Sequence, residues 1–128
     1  MSRRPYVRKV ERSWWLQHPR YISYMTRELT SLFVGLYCVL LAVGLVRLAQ
    51  GPAAWDGFVA NLSSPLGISL QSICLVFALY HSVTWFALTP KAMPLMVKGE
   101  PVPGIAIVGV HYVAWAVVSA AVLIGAGI

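Results

Sequence analysis

Acidic residues are almost missing from this chain: Glu11, Glu28, Asp56 and Glu100 are the four among 128 residues. Charge of either sign is scarce, at 11% of residues, against about 25% in an ordinary soluble domain. That shortage excludes a water-facing surface over most of the chain, so no soluble domain is expected. Cysteine is rare too. Cys38 and Cys74 each sit inside an apolar run with no CxxC spacing, which argues against a metal cluster and against a disulfide. A short apolar core followed by a small-residue cleavage site is absent, so the N-terminal region is expected to stay on the mature protein. Internal repeats and paired broken helices of the transporter kind are also absent, which argues against a channel or carrier built from this chain alone.

What is abundant is hydrocarbon: 59% of residues are hydrophobic and the mean hydropathy is +0.72. Leu29 to Val46 is 18 residues without a charge, and the run continues past Arg47 to about Ala49. Pro65 to Pro90 is uncharged, and so is everything after Glu100. A span takes about 20 apolar residues, because about 30 Å of hydrocarbon is crossed at about 1.5 Å per residue. All three runs qualify. An open strand would leave backbone groups unpaired in lipid, so the spans are helices. The expected architecture is an all-α membrane protein with an arm over residues 1–26 and a three-helix domain over 27–128. Its spans cover about 27–49, 65–89 and 104–127.

The net charge of +6 does not point to nucleic acid, because the basic residues lie beside apolar runs as they do next to a membrane. Arg3, Arg4, Arg8, Lys9, Arg12, Arg20 and Arg27 precede the first span, and Lys91 and Lys98 fall between the second and third. Arg47 stands alone on the other side. Nine against one places the N-terminus in the cytoplasm and the C-terminus outside. Trp14, Trp15, Tyr21 and Tyr24 suit the interface before the first span, and Trp55 and Phe58 suit the outer loop. The stretch from Trp14 to Met25 reads as a short surface helix, which Pro19 interrupts.

Ionisable groups at membrane depth are costly and mark function. His81 lies nine residues before Pro90, about 13 Å from the inner end of its span. Trp85 at i+4 shares its helix face. The pair reads either as a ligand contact or as a histidine bonded to a neighbouring helix. Arg27 and Glu28 open the first span, either as a snorkelling cation with a carboxylate favoured by the helix dipole or as a proton-handling pair. His111, eight residues past Pro103, matches His81 in depth. Two histidines so placed are candidate haem ligands, although His111, Tyr112 and Trp115 also read as packing and interface chemistry. Glu28, His81 and His111 all belong to the inner leaflet, which suits a lipid-soluble substrate that exchanges protons there. A quinone is such a substrate.

Four blocks carry a more specific signal: "RPYVRKVERSWW" in the arm, "YMTRELTSLF" at the first span, "GPAAWDGFV" in the outer loop and "LYHSVTWFALTPKAM" closing the second span. They resemble the C subunit of fumarate reductase, of the four-subunit membrane type. The resemblance implies an inner-membrane anchor that pairs with a second membrane anchor subunit, also of three spans. Together these would hold an iron–sulfur subunit and a flavoprotein subunit on the cytoplasmic face. It also implies menaquinone as the ligand, with FAD and the iron–sulfur clusters in the partner subunits only. By the same resemblance Arg27, Glu28, His81 and Trp85 are the quinone contacts. Glu28 would relay the proton, His81 would bond the quinone or help that relay, Arg27 would bias the field and Trp85 would wall the pocket. Val83 and Ala87 depart from a family member that has lysine and glutamate there. The resembling type is free of haem, whereas related succinate dehydrogenase anchors carry haem b, for which His81 and His111 are the candidate ligands. A structural anchor without quinone chemistry is the remaining alternative.

The charge asymmetry makes a direct prediction. A periplasm-dependent reporter fused after Ile128 should be active, and the same reporter fused before Met1 should be silent. The reverse pattern would overturn the orientation.

Overall fold

Three of the four α-helices among the described residues begin on proline. Pro19 opens α1 (Pro19–Ala49), Pro52 opens α2 (Pro52–Leu62) and Pro65 opens α3 (Pro65–Ala92). The first helical position has no use for an N–H, and the fixed φ of proline already matches a helix. A fourth helix, α4 (Gly104–Gly125), follows Pro103. These elements come from a computed structural model that describes residues 9–127. Arg3, Arg4 and Arg8 of the basic arm lie outside the described residues. Helices α1, α3 and α4 are long and apolar enough to cross a membrane, so the all-α, three-span expectation holds.

One local reading changes. Pro19 does not interrupt a surface helix; it starts the first spanning one. The His18 imidazole Nδ1 accepts the Arg20 amide at 3.1 Å and so caps it. Before it stands only a single 3₁₀ turn, Trp14–Leu16, and Trp14 meets Tyr21 edge-on at 5.2 Å. Helix α2 occupies the segment between the first and second spanning helices.

The chain divides into two compact units at Phe77 and Ala78, inside α3. In the first unit, α1 and α2 meet where a glycine removes the side chain. A Cβ on Gly44 would stand 3.0 Å from the Phe58 ring. Gly67 permits a tighter approach at the α2–α3 turn, where a Cβ would fall 2.6 Å from the Leu62 carbonyl oxygen. The turn is closed by hydrogen bonds. Ser64 Oγ donates to the Asn61 carbonyl at 2.6 Å and accepts the Gly67 amide at 3.1 Å. Gln71 Nε2 donates to the Leu62 carbonyl at 2.9 Å, one of the carbonyls that a helix end leaves without an intrahelical partner. Phe33 and Phe77 stack at 4.0 Å, and Thr30, Gly44 and Cys74 are the buried residues of the described part.

In the second unit a two-stranded hairpin, β1 (Met96–Val97) and β2 (Glu100–Pro101), links α3 to α4. Its turn residues Lys98 and Gly99 have φ of 52° and 86°, the left-handed pair that matches strand twist in a two-residue loop. Pro90 lies inside α3 near its end, and a Cβ on Gly104 would sit 3.3 Å from it.

Replacing Gly67 tests the α2–α3 turn. Gly67→Ala should cost about 1–3 kcal/mol through overpacking, read as a lower thermal midpoint in detergent. Gly35→Ala, with nothing within 4 Å, should leave the midpoint unchanged or slightly raised. Equal effects at both positions would remove the turn from the account.

Candidate functional site

Arg27, Glu28, His81, Trp85 and His111 each lie on a helix long and apolar enough to cross a membrane. Arg27 and Glu28 are on α1 in the first unit, eight and nine residues beyond Pro19. Helix α1 has already run about 12 Å before it reaches Arg27. The dipole of a helix end acts within its first turn, so it does not account for a carboxylate at Glu28. A neighbouring cation does. Arg27 Nε stands 3.7 Å from Glu28 Oε1, with the arginine side chain 13% exposed and the glutamate 42%. The Tyr24 ring lies 5.4 Å from the guanidinium carbon, a cation–π distance. Sequence marks Tyr24 only as an interfacial ring, although its i,i+3 spacing to Arg27 is visible there.

The backbone beneath the pair is held by hydroxyls. Thr30 Oγ1 donates to the Arg27 carbonyl and Ser31 Oγ to the Glu28 carbonyl, both at 2.5 Å. The result is a firmly seated cation beside a more accessible carboxylate. Such a carboxylate accepts hydrogen bonds when ionised and can donate one when protonated, which is what a proton relay needs.

His81 and Trp85 are on α3 in the second unit. Their rings are 6.1 Å apart and tilted by 50°, so the expected shared face is present. His81 is half-buried and Trp85 exposed. The Thr84 hydroxyl donates to the carbonyls of Tyr80 at 2.8 Å and His81 at 3.0 Å. The imidazole can donate or accept a hydrogen bond beside a flat aromatic surface.

His111 is placed differently. Its Nδ1 is 2.7 Å from the Ile107 carbonyl of its own helix. Its ring centroid lies 5.4 Å from that of Phe86, which also meets Tyr112 at 5.1 Å and Trp115 at 6.0 Å. An aromatic cluster therefore joins α3 to α4, and packing accounts for His111. Among the described residues no three His, Cys, Asp or Glu side chains converge as metal ligands.

Comparison with known proteins adds a decisive observation. The family model for the C subunit of fumarate reductase matches residues 1–126. The chain belongs to the family of fumarate reductase C subunits. Its similarity to individual members is spread along the whole length. It is 41% identical to the fumarate reductase C subunit of Vibrio parahaemolyticus over 123 residues, which is 96% of this chain and 97% of that protein. It is 37% identical to the same subunit of Photobacterium profundum, with the same coverage of both chains. With three membrane-crossing helices, this member of the family is a multi-pass membrane protein.

The aromatic cluster sets a prediction about His111. Phe86→Leu should lower the thermal midpoint in detergent, since each aromatic pair lost is worth about 0.5–1.5 kcal/mol beyond its area. His111→Phe, which keeps a ring in the cluster, should leave the midpoint close to wild type. A larger loss from His111→Phe than from Phe86→Leu would mean that the imidazole nitrogens do more than pack.

Proposed function

We propose that this chain is the menaquinol-binding membrane anchor of a fumarate reductase complex, with its N-terminus in the cytoplasm and the bacterial inner membrane as its location. It pairs with a second membrane anchor subunit and carries an iron–sulfur subunit and a flavoprotein subunit on the cytoplasmic side. Menaquinol gives up two electrons and two protons here. The electrons pass through the iron–sulfur subunit to the flavin, where fumarate becomes succinate in anaerobic respiration. Family membership over nearly the whole chain carries this reading.

The residues of this chain supply binding and proton handling. Glu28, accessible beside a seated guanidinium, is the proton acceptor as quinol is oxidised. Arg27 holds positive charge next to it and biases the local field. His81 is the hydrogen-bond partner for a quinone oxygen, and the neighbouring Trp85 ring offers a flat wall to the quinone ring. Lys91, Lys98 and Arg12, all exposed, face anionic lipid headgroups or the soluble subunits. A haem b reading through His81 and His111 is the weaker one, because the Phe86 cluster already explains His111.

Glu28→Gln tests the assignment in the purified complex. Quinol-driven fumarate reduction should fall well below wild type, while fumarate reduction driven by a soluble dye should be unchanged. Loss of both rates together would mean damaged assembly and would sink the proton role. Unchanged rates in both would leave this chain as an anchor only. His81→Ala should likewise lower the quinol-driven rate selectively.

A further inference from the structure

The first unit carries a second feature, at the opposite end of α1 from Glu28. A cavity of about 620 Å³ opens between α1, α2 and the start of α3. Leu40, Val43, Phe58 and Leu70 line its apolar part, and Arg47, Asn61 and Ser64 supply polar atoms. A second depression of about 360 Å³ is lined by Val39, Val46 and Gln50 and shares Val43 and Arg47 with the first. A third, of about 120 Å³, continues past Leu40 to Leu36 and Cys74. From Arg47 to Leu36 this surface runs about 16 Å along the helix.

Arg47 has an ordinary explanation: a cation in the last turn of a helix suits its negative end. Its Nη1 donates to Gln50 Oε1 at 3.1 Å. That explains the charge but not what surrounds it. Two grooves, one mainly aliphatic and one with both apolar and polar lining, share Arg47, whose guanidinium has five N–H donors in all. Guanidinium donors match phosphate oxygens in geometry and charge, and grooves open to hydrocarbon suit acyl chains. Polar atoms line the larger cavity, whereas the third depression is lined by aliphatic residues, Tyr37 and Cys74. A flat ring with polar atoms at both ends matches this surface less well than a molecule with one anionic head and two apolar tails.

We propose that the Arg47 surface holds one anionic phospholipid, with its phosphate on the Arg47 guanidinium and its acyl chains in the grooves on either side of Val43. The lipid fills space that α1, α2 and α3 leave open in this unit. This site is separate from the Glu28 region and does not depend on the quinol assignment.

The test uses the full-length chain, purified in mild detergent, stripped of lipid and mixed with phosphatidylglycerol or phosphatidylcholine at equal concentration. Native mass spectrometry then counts the lipids retained. Wild type should keep one phosphatidylglycerol with about a tenfold preference over phosphatidylcholine, the ratio that corresponds to about 1.4 kcal/mol. Arg47→Gln should abolish that preference and Arg47→Lys should keep part of it, with helix content checked by circular dichroism. Val43→Trp, which fills the junction of the grooves, should lower retention of both lipids. Equal retention of phosphatidylglycerol by wild type and Arg47→Gln would overturn the proposal. So would added menaquinone displacing the lipid with the same dependence on Arg47.

Discussion

Every backbone N–H and C=O that enters hydrocarbon must find its partner inside the protein, and this requirement shapes the whole chain. It makes the three long segments helical and puts the cost of polarity at their ends. Proline begins α1, α2 and α3, so one amide that would lack an intrahelical partner is never present. Ser64 and Gln71 serve groups exposed at the α2–α3 turn. Hydroxyls along the helices follow the same rule. Ser69, Ser72, Thr84 and Thr89 each donate to the carbonyl four residues earlier, so their polarity is absorbed locally.

Satisfied backbones leave packing as the remaining source of structure, and the chain contributes little of it alone. No residue of α4 is buried, and the buried positions of the first unit are Thr30, Gly44 and Cys74. Lipid tails are as apolar as leucine, so helices associate through close backbone approach rather than hydrophobic exclusion. Gly44 and Gly67 stand where that approach occurs. The leucine, valine and isoleucine surface of α1, α3 and α4 is left for lipid and for other subunits, as suits a member of a family of membrane subunits.

The Arg27–Glu28 pair sits where helix ends do not explain it. Glu28 lies beyond the first turn of α1, so its charge is matched by Arg27 and not by the helix dipole. The Tyr24 ring lies against the guanidinium and Thr30 bonds the Arg27 backbone carbonyl, while the carboxylate keeps access to its surroundings. At the far end of α1, Arg47 is placed differently, at a helix terminus between two grooves. Arg27 and Arg47 thus share one helix and have different partners.

The three spans, the pairing of Arg27 with Glu28 and of His81 with Trp85, and the family blocks are all legible in the sequence. Each depends on composition or on spacings of one to four residues, which a helix converts directly into proximity. The start of α1 at Pro19 is not legible, because proline breaks a helix interior but favours its first position, and the pattern alone does not say which it occupies. Helix α2, the Gly67 approach and the cluster of Phe86 with His111, Tyr112 and Trp115 depend on tertiary structure. The Gly67 approach and the Phe86 contacts join residues on different helices, and only the packed chain decides which surfaces meet.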